Sequence, residues 1–244
     1  MSDSASLEEH SIQRFGAVLA ELDAAIDWEV LAPVYCEGDA SGFFDEERRN
    51  AIVDAGLKLA SEIGEQLKPG GKSLYIGAAV AELAPMMFEA IVLDRKVAWI
   101  SIEGREATEL TRAIKSVDKH LPTPRTAEWR GSDLRPRDHV WMTSVLTDPE
   151  AFPALHDQLY ERQGTREAVG GGRPKRERLA AAELVRNALA AAAQDTLLTT
   201  TDEELLVWTP IVHEAGGDLK VSPTGRTSAI VGDVIRFCRL KPGR

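Results

Sequence analysis

The chain has 244 residues, 43% of them hydrophobic, with a formal net charge of −10 and a pI near 5.1. That length suits one large domain or a domain with a helical extension, and the acidity argues against a nucleic-acid backbone as the main partner. The N-terminus has no basic or apolar leader pattern, Glu82, Pro85 and Glu89 interrupt the longest apolar run, and Cys36 and Cys238 stand far apart. A cytoplasmic chain without a membrane span is expected, its cysteines acting as small buried hydrophobes.

The three- and four-residue spacing of Ile12, Phe15, Val18, Leu22 and Ile26 predicts a helix over residues 6–31. Residues 31–44 read as irregular, with Tyr35, Phe43 and Phe44 either packing on a sheet or covering a ligand. A second helix is expected over 45–67, closed by the turn at 68–71. The tetrad at 70–73 (GGKS) is not a phosphate loop: that motif follows a strand and opens a helix, whereas this one ends a helix and opens a strand.

Residues 73–76 form a short apolar strand that stops at Gly77, and the spacing from Val80 to Leu93 is helical. A second strand over 97–102 ends at the carboxylate Glu103. Strand, small-residue turn, helix, strand and acid is the order of half a nucleotide-binding α/β fold. Small residues at Gly77, Ala78, Ala79 and Ala81 let a ligand approach the backbone where helical N–H groups are free, and an acid at the next strand's tip can accept from a ribose diol. The dinucleotide fingerprint G-x-G-x-x-G is absent, which favours a carboxylate- or sulfonium-bearing ligand over a diphosphate. An ordinary βαβ unit with a small turn is the competing reading.

A helix follows over 107–117, a short strand over 127–129, the turn Gly131, Ser132 and Asp133, and a central strand over 138–146. Thr147 and Asp148 stand at that strand's end, before a helix over 150–160. Residues 163–178 carry three consecutive glycines among Arg166, Arg173, Lys175, Arg176 and Arg178, either as an exposed loop or as a lid over an anionic substrate. A helix over 178–193, a strand over 195–201, a helix over 203–215 kinked at Pro210, and two strands around 222–225 complete the chain. Such a late strand pair fits an antiparallel hairpin on a largely parallel sheet.

From Leu67 to Leu240 these segments resemble a class I S-adenosylmethionine-dependent methyltransferase: LKPGGKSLYIGAA, the acid Glu103, Gly131-Ser132-Asp133, the strand DHVWMTSVL with TDP after it, and the terminal strand pair. The resemblance implies an α/β fold with a seven-stranded, mostly parallel Rossmann-like sheet, an antiparallel C-terminal hairpin and an N-terminal helical extension. The corresponding division is a helical cap at 1–67 and a methyltransferase-like domain at 68–244. It implies S-adenosylmethionine as cofactor, with Tyr75, Gly77, Ala78 and Ala79 at its methionine end, Glu103 at the ribose, Asp133 at the adenine amino group, and Gly104 and Ser144 as further cofactor-binding residues. Asp148 is the candidate catalytic base, and it is equally an N-cap for the helix after Pro149. The family commonly has an acid where this chain has Tyr75, to order the cofactor's ammonium group, and glycines where it has Ala79 and Ala81.

The expected acceptor is a small molecule, with neither nucleic acid nor membrane as partner. The alternative is a methyltransferase fold without catalysis, serving as a binding or assembly partner. A nicotinamide oxidoreductase lacks its glycine fingerprint here, and a serine hydrolase its G-x-S-x-G. The five histidines show no metal-ligand spacing with the cysteines, so no metal site is expected; His139 and His156 remain secondary base candidates.

Overall fold

The computed structural model describes residues 2–36, 39–126, 128–134 and 136–243, with side chains from residue 8 onward. The chain is an α/β protein that divides into two compact units, Met1–Ala127 and Glu128–Arg244.

In the first unit, α1 (Ser2–Ala25), α2 (Trp28–Tyr35) and α3 (Glu46–Gln66) precede the first strand. The single helix expected over 6–31 is therefore two. Asp27 interrupts it: its backbone is extended, and its carboxylate caps α2 by accepting from the Val30 N–H at 3.2 Å. Asp45 caps α3 in the same way, through the Arg48 N–H at 2.8 Å. The stretch expected to be irregular thus begins inside α2; Gly38 within it lies outside the described residues.

Strand β1 (Lys72–Ile76) pairs in parallel with β2 (Lys96–Ile100), Leu74 opposite Ala98 and Ile76 opposite Ile100. Between them runs a 3-10 turn (Val80–Glu82) leading into α4 (Leu83–Ile91), and after β2 comes α5 (Arg105–Val117). The turn at 68–71 is locked to the sheet by Gly70 N–H to Leu93 O and Lys96 N–H to Gly71 O, as befits a structural turn. Leu22, Leu31, Ile63, Leu74, Met87, Trp99, Leu110 and Ile114 fill the core of this unit.

The second unit holds a 3-10 turn (Gly131–Asp133), β3 (Arg137–Met142), α6 (Pro153–Leu159), α7 (Pro174–Ala191), β4 (Ala192–Thr201), α8 (Asp202–Glu214), β5 (Asp218–Thr227) and β6 (Val234–Lys241). Its strand order is β3-β4-β6-β5, with β3 and β4 parallel and β6 antiparallel to both neighbours. The antiparallel terminal pair is present, but its turn is not at 222–225. Those residues form a bulge within β5, where Pro223 has no N–H for the ladder, and the chain reverses between Thr227 and Val234. Gly131 is required by packing: a Cβ there would lie 1.7 Å from Asn187 O on α7.

Six strands are present among the described residues where seven were expected. The strand expected at 127–129 begins at Ala127, outside the described residues. What stands near its place is one bridge, Ile100 with Arg125, made by Ser101 N–H to Arg125 O and Arg125 N–H to Trp99 O. Pro122 and Pro124 precede this point and offer no donors, so the ladder does not extend backward. The strand expected over 138–146 also ends early, at Met142. Among the described residues no helix is long and apolar enough to cross a membrane.

Candidate functional site

The first unit places the turn after β1 beside the end of β2. Gly77 has φ +65°, the left-handed region that glycine enters without penalty, and its N–H donates to Ile100 O at 2.8 Å. The buried Ala78 carbonyl accepts from the Trp99 indole at 3.0 Å. Two bonds therefore fix the turn to β2. Ala79 follows in extended conformation, and its N–H is taken by the Glu82 carboxylate at 2.9 Å.

Beyond β2 the chain is open to solvent. Glu103 and Gly104 are exposed, and Gly104 begins α5 with extended backbone and no side-chain cap. Ile102, 74% exposed, leaves an aliphatic side chain in water beside that carboxylate. A carboxylate next to an uncovered aliphatic surface suits a polar group joined to a flat apolar one, as in a nucleoside.

Tyr75 is fully buried, and its hydroxyl donates to Glu89 on α4 at 2.6 Å. Ser73, two residues earlier on the same face of β1, also donates to Glu89, and Arg95 pairs with it at 2.9 Å, both charged side chains wholly buried. Arg95 reaches onward to Lys68 O at 2.6 Å. Burial, then the Glu89 charge, hold the Tyr75 phenol well above its usual range, so it stays a neutral donor. Tyr75 thus holds the strand beneath the turn.

The remaining sequence candidates lie in the second unit. Asp133 is exposed in its 3-10 turn. Ser144 has φ +56°, uncommon for a residue with a side chain, and its hydroxyl donates to Asp233 at 2.9 Å. Tyr160 donates to the other oxygen of Asp233 at 2.6 Å; burial, then that bond, raise the Tyr160 phenol strongly. Asp148 accepts from the Glu150 and Ala151 N–H groups at 2.9 and 2.6 Å, so its carboxylate organises the turn ahead of α6. His139 is a core residue against Thr199 at 3.0 Å, and the His156 ring lies 2.6 Å from Thr147 O.

The loop after β3 has a second anchor that sequence reasoning missed. Glu204, on α8, accepts from the Val145 and Leu146 N–H groups at 2.7 and 2.8 Å and from the Thr200 hydroxyl at 2.8 Å. Burial pushes its carboxyl up to about 7 against those three bonds. The sequence signal points elsewhere: Thr201-x-x-Glu204 reads as a capping box, and only its Thr201 half forms, at 3.3 Å. Asp233 and Tyr160 carry no local signal at all. Among the described residues, no group of three or more His, Cys, Asp or Glu is placed to hold a metal.

No protein-family model and no curated protein matches the chain. Solved structures align with it at low identity. Precorrin-6y C5,15-methyltransferase from Geobacter metallireducens is 11% identical over 81% of this chain and 89% of its own, with a TM-score of 0.45. TrmN from Thermus thermophilus is 13% identical over 78% of this chain, which spans 48% of that protein, with a TM-score of 0.47. Fibrillarin from Aeropyrum pernix, solved with natively bound S-adenosyl-L-methionine, is 14% identical over 77% of this chain and 76% of its own, with a TM-score of 0.44. Identities and TM-scores this low fix neither activity nor ligand for this chain.

Proposed function

We propose that the chain is an S-adenosylmethionine-dependent methyltransferase whose cofactor lies against the first unit's two strand-end turns. The observation that carries the proposal is the exposed Ile102–Glu103–Gly104 tip, with the Gly77 turn bonded to the strand that leads to it. Glu103 would accept from the ribose diol, Ile102 would cover an adenine edge, and residues 77–79 would approach the methionine end. The bound cofactor supplies an electrophilic methyl group on a sulfonium. The chain's part is to hold that group and an acceptor in line at near-attack distance.

Tyr75 enters the proposal as the support beneath the turn, since its hydroxyl is held by Glu89. Asp133, Ser144 and Asp148 enter it on sequence resemblance, and substitution of each tests them. Asp148→Asn separates its capping role, read as thermal stability, from proton transfer, read as turnover. The acceptor screen takes in RNA as well as small molecules. The whole-chain acidity that argued against nucleic acid says nothing of the exposed Arg166, Arg173, Lys175 and Arg176.

Calorimetric titration with S-adenosylhomocysteine, the demethylated product, tests the reading. Micromolar binding that Glu103→Ala weakens about tenfold or more, the loss of roughly one charge-assisted bond, is the expected result. Absence of heat at millimolar ligand would remove the proposal.

A further inference from the structure

Residues 163–178 of the second unit carry Arg166, Arg173, Lys175, Arg176 and Arg178 against the carboxylates Glu167 and Glu177. The segment is fastened down rather than hinged. Asp157 on α6, itself buried, accepts from the Val169 and Gly170 N–H groups at 2.8 and 3.0 Å. Glu177 on α7, also buried, accepts from the Arg173 N–H at 2.6 Å and from the Leu155 N–H on α6 at 2.9 Å. Gly172 has φ +73°, and an added Cβ there would stand 2.4 Å from the Glu177 carboxylate and 2.8 Å from the Ala154 nitrogen. The loop and the first turn of α7 thus form one fixed surface laid against α6.

The same pinning sorts the charges. Glu177 is turned inward onto backbone groups, while the five cations are exposed. Among the described residues, the side chains of Arg166, Arg173, Lys175 and Arg176 have no ion-pair or hydrogen-bond partner, and Arg178 is held by Gln158 at 2.9 Å. By contrast, Arg186 further along α7 meets Glu214, and Arg236 on β6 meets Asp202. The positive end of the α7 dipole adds to the same sign. The net charge of −10 does not cancel such a patch, because salt screens exposed charges beyond about 8 Å.

We infer that this surface docks the phosphodiester backbone of a nucleic-acid strand. Arginine outnumbers lysine in it, and the guanidinium fork matches phosphate oxygens two at a time. Residues 163–178 contain no aromatic side chain on which a base could stack, so the contact reads backbone charge and tolerates sequence. Val169 and Leu179, 49% and 70% exposed, are single aliphatic side chains, too little apolar area to hold a membrane interface. A second copy of the chain would bring its own charge of −10 against the first. Nothing in this inference depends on the cofactor reading above.

Fluorescence anisotropy with a labelled single-stranded oligouridylate, measured on the full chain without cofactor, tests it. If four cations each meet one phosphate, affinity should fall about fiftyfold as salt rises from about 50 to about 200 mM. The triple variant Arg173→Gln/Lys175→Gln/Arg176→Gln should reduce the slope of log affinity against log salt by about two and weaken binding at the lower salt by about tenfold or more. A control triple, Lys58→Gln/Lys119→Gln/Lys220→Gln, removes the same charge from exposed positions elsewhere and should bind within about twofold of the unaltered protein. All six side chains are exposed, and an unchanged thermal midpoint verifies that both variants are folded. No binding by the unaltered protein at the lower salt, an unaltered slope in the first variant, or equal losses in the two variants would overturn the inference. So would phosphatidylserine vesicles, or self-association seen by sedimentation, responding to the first variant where the oligonucleotide does not.

Discussion

Glu89 in the first unit and Glu204 in the second are both completely buried, and they meet the cost of that burial in opposite ways. Glu89 has a buried cation, Arg95, together with the Ser73 and Tyr75 hydroxyls. Glu204 is held by two backbone N–H groups and Thr200, and its carboxyl sits near 7. The first arrangement lies beneath β1 and leaves the Ile102–Gly104 tip open to solvent. The second takes up the N–H groups of Val145 and Leu146, while Asp233 takes the neighbouring Ser144. In one unit the buried polar groups support a strand and the tip of the neighbouring strand stays open to solvent; in the other they occupy the loop itself. That difference is why the proposed cofactor contacts concentrate on the first unit.

The comparison breaks most visibly at Arg95. Arg95→Leu leaves Glu89 buried without its cation and should cost about 3–5 kcal/mol, read as a large fall in thermal midpoint. The double variant Arg95→Leu/Glu89→Gln, which removes the charge but keeps an acceptor oxygen for the Ser73 and Tyr75 hydroxyls, should recover most of that loss. Recovery by the double variant separates an uncompensated charge from a packing defect.

Next comes the pH dependence of Glu204. Its folded value of about 7 lies above the ordinary 4.5, so the folded protein binds more protons in that window and stability falls as pH rises through it. The full effect is about 3 kcal/mol. Glu204→Gln, which keeps an oxygen for the two N–H groups, should flatten this component. Chemical unfolding followed from pH 5 to pH 8, in both proteins, measures it. A slope identical in the two would assign the dependence to other groups.

Gly77→Ala is smaller. At φ +65° an added Cβ costs about 1–2 kcal/mol, and the Gly77-to-Ile100 bond has to strain to keep its register. The variant should lose S-adenosylhomocysteine affinity more than stability, while Gly70→Ala, at φ +74° in the structural turn, should lose stability alone.

What the sequence disclosed follows the range of the interactions involved. The β1–turn–α4–β2 order and the exposed Glu103 were legible because periodicity, a glycine stop and a strand-end acid are all local. The break at Asp27 was missed because Ile26 and Leu31 continue the apolar stripe across it, and a capping aspartate within such a stripe looks like a surface residue. The reversal at 222–225 was misplaced because Pro223 and Gly225 mark a bulge as readily as a turn. The anchoring of the post-β3 loop was invisible: Ser144 meets Asp233 across 89 residues and Val145 meets Glu204 across 59. Tyr75 shows the same limit. Its place on β1 was legible, but its commitment to Glu89 depends on which face α4 covers.

The most direct test of the central claim is hydrogen–deuterium exchange with and without S-adenosylhomocysteine. The account predicts slowed exchange in two segments of the first unit, 77–83 and 102–106, and the loss of both effects in Glu103→Ala. Protection that spares these two segments, in a protein shown to bind the ligand, would contradict it.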